Sequence, residues 1–423
     1  MAQKTGRMKC SLRAYLRKLA GVVCDYARPF LRELGVPKLG ARIFWVTHSH
    51  GTLANSSVKL VQGASGTLNA DTIWGAESEG KSGLYAFPDI FLHTLHNASL
   101  IAHRRFNAVF VGNQCLIPER AEAPPWDFGP QSEVLAYKSL VTSKEMLEVS
   151  IPRKNLRIPR GIYIGARAPD NYYHFLVNAL PSLFAADTFS QIDKAVPVIV
   201  PKSALSKSTL LSALAIVAGD RPVFAWDEKV QLDVSEAFVV DPPPVYDTPL
   251  SRELSHRRPL ACHISVMRDY RDAILSRTSE EPFGAVPAER VFLARPQGDR
   301  KSPNRAEIVR VAERHGFAVV EPQKLSFEEQ VQLFRQARII VGPGGAAFTN
   351  ILFCQPGAVS ALWKPRHIEA ENHFSNLAKI SQSRLFSIPL DRIRPLTQSK
   401  TDVWDLDPLV LSTILRDLIQ LAE

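Results

Sequence analysis

The sequence predicts an α/β protein organised around doubly wound, mostly parallel sheet, and three observations carry that prediction. Short apolar runs rich in Val and Ile alternate with helix-length amphipathic stretches from residue 160 onward. Between 290 and 363 the alternation becomes regular: strand, helix, strand, helix, strand, glycine turn, short helix, strand. The chain has 423 residues, well above the roughly 150 of a typical single domain, so two domains are expected.

The elements follow in order. Residues 1–35 start with six basic residues in the first 18 positions and no acid. Leu12, Leu16, Leu19, Val23, Tyr26 and Phe30 then recur at helical spacing, which predicts a basic amphipathic helix. It can pack on the body of the protein or rest on an anionic lipid surface. Residues 36–150 carry a weak pattern: Gly, Ser and Asn between 50 and 83 read as loops, AVFVG (108–112) as a strand and PPWDFGP (124–130) as a connector. GIYIGA (161–166), VPVIVP (196–201) and SEAFVVD (235–241) read as strands. NYYHFLVNALPSLFAAD (171–187), SALSKSTLLSALAIVAG (203–219) and HISVMRDYRDAILSR (263–277) read as helices. EPFGAVP (281–287) is the expected hinge to a second domain. There RVFLAR (290–295), HGFAVVEP (315–322), RIIVG (338–342) and GAVSALW (357–363) supply strands. Asn304 with Glu307, and Ser326 with Glu329, have the spacing of capping boxes for the intervening helices. The domains predicted are 1–35, 36–280, 281–400 and a terminal helix over 401–423.

Composition narrows the function classes. Hydrophobic residues at 45% and charged residues at 22% fit a globular chain rather than a disordered one. No run reaches the roughly 18 apolar residues of a membrane span. Five cysteines at 10, 24, 115, 262 and 354 form no Cys-x-x-Cys pair, so they read as reduced thiols of a cytoplasmic protein rather than a zinc site. A net charge of +9 points to an anionic partner: a diphosphate-bearing substrate or an anionic membrane face. Nucleic acid is not expected, because neither an aromatic RNA-binding signature nor a zinc finger is present.

Three constellations carry chemistry. The turn GPGGAAFTN places Gly342, Gly344 and Gly345 where a buried strand gives way to a helix, a setting in which unpaired N–H groups suit a phosphate. The same turn also reads as a tight βα connection with nothing bound, and its Gly-x-Gly-x-x-Ala spacing leaves a nucleotide-dependent oxidoreductase open. Arg295, Arg300, Lys301 and Asn304 fall in one loop after a strand, where ligands of open α/β sheets bind and arginine forks clamp phosphate. Asp170, Asn171, Tyr173 and His174 open a helix that also carries Asn178, four residues on and on the same face as His174. The acid and amide suit a helix cap, and the histidine suits a general base. Asp405 and Asp407 have metal-site spacing but stand beside Pro408 at a helix start, where acids cap. His93 and His96 share a helical face without the Glu of a His-Glu-x-x-His zinc motif, and His48 and His50 lack a third ligand.

The helix NYYHFLVNALPSL and the block from LARPQGDRKSPNRAEI to GPGGAAFTNILFCQPG together resemble glycosyltransferase family 61, over roughly 160–365. The resemblance implies a GT-B-like fold, two Rossmann-like domains facing a cleft, behind the amino-terminal amphipathic helix. It implies an inverting, metal-independent transferase, common in capsular and surface polysaccharide biosynthesis. No cofactor is implied; the donor is a nucleotide-diphosphate sugar and the acceptor a glycan or lipid-linked glycan. On that basis Arg295 meets the leaving diphosphate, with Arg300, Lys301 and Asn304 beside it. Gly344, Gly345 and Ala346 hold phosphates and Asn350 fixes ribose or phosphate. His174 is the first choice of base and Asp170 the second, with Asn171, Tyr173 and Asn178 on the acceptor side. The chain departs from the family at Asn178, where members commonly carry an acid, and at Gly344, where they often carry His. Those departures motivate the alternative of a catalytically degenerate glycan- or nucleotide-binding member. A cytoplasmic enzyme at the inner membrane face is the expected setting.

Overall fold

A computed structural model describes residues 41–47, 53–68, 72–73, 83–87, 89–103, 106–116, 134–138, 145–165, 169–245, 261–281, 288–296, 304–365, 373–390 and 406–423. The amphipathic helix expected over 1–35 and the hinge at 281–287 lie outside them.

The chain is α/β, as its pattern predicts. The first unit is a mixed sheet. Its strands include β1 (Ile90–His103), β2 (Asn155–Tyr163), β3 (Val198–Pro201), β4 (Val223–Trp226) and β5 (Gln231–Val240). The run β4-β3-β2-β5 is wholly parallel, an order in which β2 and β5 flank the point where the winding reverses. Beyond β5 the sheet turns antiparallel through β1 and continues into Phe106–Val111, Gln114–Leu116, Ala41–Thr47, Glu145–Ser150 and Val134–Lys138. This extension is where the sequence pattern fails. Ser56–Val61 and Ala64–Leu68, expected as loops, are strands. His93 and His96, expected on one helical face, lie on β1, with His93 buried and His96 exposed. A left-handed residue, Asn97 at φ 54°, interrupts the two-residue alternation of β1 and hides its period.

The second unit is a parallel sheet of β6 (Arg290–Leu293), β7 (Ala318–Val320), β8 (Ile339–Pro343), β9 (Val359–Pro365) and β10 (Arg384–Leu390). Its order is β7-β6-β8-β9-β10, and Thr72–Ile73 of the first unit adds a further parallel strand beside β10. The winding here reverses between β6 and β8, so the loop after the first strand and the turn after the third become neighbours. Gly342 is required by that approach: a Cβ there would stand 2.7 Å from the Leu293 carbonyl oxygen.

Helices fill the space between the sheets. A helical segment made of Tyr172–His174, a π-turn Phe175–Ala179 and α1 (Leu180–Phe189) is followed by α2 (Ser208–Ala218) and α3 (Ile264–Arg277). The second unit contributes α4 (Arg305–Arg314), α5 (Phe327–Gln336), the 3-10 segment Ala346–Phe353, α6 (His373–Ser381) and α7 (Pro408–Ala422). One continuous core joins them: Phe175, Leu183 and Met267 pack in the same cluster as Leu293, Phe334 and Phe348. Arg271 of α3 crosses the boundary to cap the 3-10 segment, donating to the carbonyls of Leu352 and Cys354 at 2.7 Å each. On the far face of the second sheet, α4 and α7 bury Ile308, Val311, Leu411 and Leu415.

Of four helix expectations, two are met and two resolve differently. Ser326 and Glu329 form the predicted reciprocal capping box on α5. Asn304 precedes α4 but makes no side-chain cap; its amide instead donates to the Leu406 carbonyl at 2.9 Å and ties α7 to the sheet. The single helix expected over 203–219 is two, Lys202–Leu205 and α2, because Lys207 adopts an extended conformation between them. Asp407 caps α7, its carboxylate accepting from the Leu409 N–H at 2.8 Å, which is the capping reading.

Candidate active site

A cavity of about 540 Å³ opens at the winding reversal of the second sheet, facing Tyr172 and the start of α2. Its walls come from the two units. Tyr172 and residues 206–209 contribute from the first. Arg295, Gln330, Gly345 and Ala346 contribute from the second. The volume falls within the range typical of small-molecule sites, about 300–1,000 Å³. Among the described lining residues there are two cations, Lys207 and Arg295, and no carboxylate or histidine. A donor set of that kind attracts anions and offers a hard divalent cation no carboxylate. No group of three or more His, Cys, Asp or Glu gathers elsewhere among the described residues either.

Arg295 leaves the end of β6 and bends across the switch point. Its guanidinium donates to the Gly344 carbonyl at 2.6 Å and stands 3.3 Å from where a Cβ on Gly345 would be. The bare Gly345 therefore leaves room for the guanidinium beside the turn. Its own backbone is pinned as well: Arg305 donates to the Arg295 carbonyl at 2.5 Å and pairs with Glu321 at 2.8 Å. Sequence reasoning missed Arg305 because it sits inside a helix start that already looked explained by Asn304. Gly344 is held by packing. Its N–H donates to the Trp363 carbonyl at 2.8 Å, and a Cβ would lie 3.1 Å from that same oxygen. The Gly344 amide is thus committed, and of the three expected phosphate amides only those of Gly345 and Ala346 belong to cavity-lining residues. Arg300 and Lys301 lie outside the described residues, and Asn304 lies away from the cavity.

The first unit brings its motif helix to the same place. Asn171 caps it, accepting from the N–H groups of Tyr173 at 3.0 Å and His174 at 3.4 Å. Pro181 has no N–H to give, and the helix widens into the π-turn just before it; the Ser182 hydroxyl donates to the Asn178 carbonyl at 3.2 Å. His174 Nδ1 lies 3.1 Å from Asn178 Oδ1. With the amide oxygen turned to the ring, Nδ1–H is the donor of this contact. Asn178 is 2% exposed, so its amide is a buried group that orients the His174 ring. His174 is half-buried and stands next to the cavity wall formed by Tyr172 rather than in it. Tyr173 is buried in an aromatic cluster with His174, His373 and Phe374, ring centroids 5.6–5.8 Å apart. Asp170 is exposed and holds Lys207, which donates to its carbonyl and lies 3.9 Å from its carboxylate.

Lys207 escaped the sequence reading because a lysine at the start of a helix is an odd choice. A positive charge there opposes the helix dipole, and serines that cap better stand on both sides. That local misfit was the available signal. Asn350 is fully buried: its amide accepts from the Tyr172 phenol at 2.6 Å and donates to Gln330 at 2.8 Å.

Fold and site define an α/β protein with a cationic cavity at the switch point of its second sheet. Residues 172–361 match the family model for Glycosyltransferase 61, a stretch that takes in the second motif block and the first motif from Tyr172 onward. Glycosyl transfer is the activity the family carries. Among curated proteins none matches the chain. No described helix is long and apolar enough to cross a membrane.

Proposed function

We propose that this chain is an inverting glycosyltransferase of GT-B type that moves a sugar from a nucleotide-diphosphate donor to a glycan or lipid-linked acceptor in surface polysaccharide biosynthesis. The observation that carries the reading is the pair of cations, Lys207 and Arg295, in a cavity whose described lining lacks any carboxylate. As the acceptor hydroxyl attacks the anomeric carbon, the bond to the diphosphate breaks and its electron pair leaves with the phosphate oxygen. Arg295, Lys207 and the Gly345–Ala346 turn meet that developing charge in place of a divalent ion. Arg300 and Lys301 are proposed to add to it. The acceptor proton passes to His174 Nε2, with Asp170 as the second choice of base and Asn171, Tyr173 and Asn178 shaping that side. No cofactor enters this scheme.

Calorimetric titration with nucleoside diphosphates tests it. Wild-type protein should bind one of them, and Arg295→Ala should weaken binding and lower kcat about 100-fold or more. Wild-type turnover by Arg295→Ala, or a nucleotide seated away from this cavity in a crystal soak, would overturn the assignment. The second reading, a binding protein without catalysis, is favoured by Asn178 alone, since an amide cannot stabilise an imidazolium as a carboxylate does. Donor hydrolysis or transfer above background rules it out.

A further inference from the structure

Three polar side chains form a single directed chain beneath the cavity. The Tyr172 phenol donates to Asn350 Oδ1 at 2.6 Å, Asn350 Nδ2 donates to Gln330 Oε1 at 2.8 Å, and Gln330 Nε2 donates to the Leu325 carbonyl at 3.3 Å. The direction has one solution. A backbone carbonyl only accepts, so Gln330 must turn its NH₂ to Leu325 and its oxygen to Asn350. Asn350 must then show its NH₂ to Gln330 and its oxygen to Tyr172, which must donate. Burial pushes the Tyr172 phenol well above its ordinary pKa, so the donor keeps its proton. Asn350 is fully buried among apolar neighbours such as Phe348, Ile351 and Phe327, where a leucine would pack without any polar cost.

We propose that Asn350 is a positioning residue for transfer, clasping one wall of the cavity to the other. Tyr172 and Gln330 both line the cavity, one from the motif helix of the first unit and one from α5 of the second. Asn350 lines neither wall and touches both. Sliding one unit past the other would strand buried donors and acceptors, so the walls hold one register. The inference rests on the donor reading above and deepens it. Arg295 and the Gly345 turn belong to the second unit and only Lys207 comes from the first, so loss of the clasp should cost less diphosphate affinity than loss of Arg295. Turnover does, because His174 follows Tyr172 by two residues and must stand at a fixed distance from the donor.

The test uses the full chain and the nucleoside diphosphates as probes. Tyr172→Phe and Asn350→Leu should each lose kcat for donor hydrolysis or transfer about tenfold or more while losing less diphosphate affinity than Arg295→Ala does. The double variant should be no slower than Asn350→Leu alone, since both remove one chain. Hydrogen exchange supplies a readout that needs no acceptor: diphosphate should protect Tyr172–Ala179 in wild type, and that protection should vanish in Asn350→Leu while binding persists. Unchanged kcat and unchanged protection in either variant would overturn the clasp, as would losses that multiply in the double variant or affinity that falls in step with kcat. If Arg295→Ala binds diphosphate like wild type, the donor reading falls and takes the clasp's catalytic role with it. If binding needs Arg295 but ignores every clasp variant in turnover and exchange, the clasp falls alone.

Discussion

At the scale of single residues, the glycine turn separates packing from chemistry. Gly342 and Gly344 are glycines because the Leu293 and Trp363 carbonyls crowd them. Gly342→Ala is therefore expected to cost about 1–3 kcal/mol of stability by overpacking a strand junction, read as a lower denaturant midpoint with an unchanged m-value. Gly345 matters for the guanidinium beside it, so Gly345→Ala should spare stability and weaken diphosphate binding. The buried thiols give a second check. Burial pushes Cys262 and Cys354 up to about 12 and lifts Cys115 well above its ordinary value. Few thiolates exist at pH 8, so iodoacetamide should label these three only after unfolding, as peptide mapping by mass spectrometry would reveal. What was legible at this scale was residue type and neighbourhood: Arg295 and His174 both stand at or beside the cavity. Illegible was direction. No spacing rule tells that Asn350 turns inward to Tyr172, or that Gly344 spends its N–H on Trp363.

Elements tell a matching story. The second unit was readable because each βα step combines a buried strand, a capping signal and an amphipathic helix, and these cues agree from Arg290 to Trp363. Ser326→Ala should cost about 1 kcal/mol by removing half of the α5 capping box, measurable as a shift of the thermal midpoint. The extension beyond β5 was unreadable because several of its strands pair over long separations, Ala41–Thr47 with Glu145–Ser150 among them, and β1 breaks its own period at Asn97. Helix α7 carries a pH signal. Burial, with help from Arg416 and Arg314, lowers the His315 pKa below its ordinary 6.5, and its ring pairs with Ser412 of α7 at 2.8 Å. The folded state then binds fewer protons than the unfolded one in that window. Stability should be fully present above about pH 6.5 and decline as pH falls through that value, and His315→Gln should flatten this part of the profile.

For the molecule as a whole, the shared core predicts one cooperative transition. Phe175 and Phe334 sit in one cluster, Arg271 stitches α3 to the 3-10 segment, and Arg335 of α5 reaches Glu280 at 2.7 Å. Calorimetry should show a single unfolding endotherm with equal calorimetric and van't Hoff enthalpies; two resolved peaks would show separable halves. The basic stretch 1–35 adds a separate expectation: deleting it should release the protein from phosphatidylserine vesicles in co-sedimentation, and unchanged binding would remove the membrane-foot role.

The strand Thr72–Ile73 has a consequence for biosynthesis. Among the described residues it pairs with Phe386 and Ser387, which are synthesised long after it. An early part of the nascent chain must stay unsatisfied, or be shielded by a chaperone, until the last strand of the distant sheet emerges. Folding from denaturant should be correspondingly slow and concentration-sensitive, because that closing stitch joins segments so far apart along the polymer.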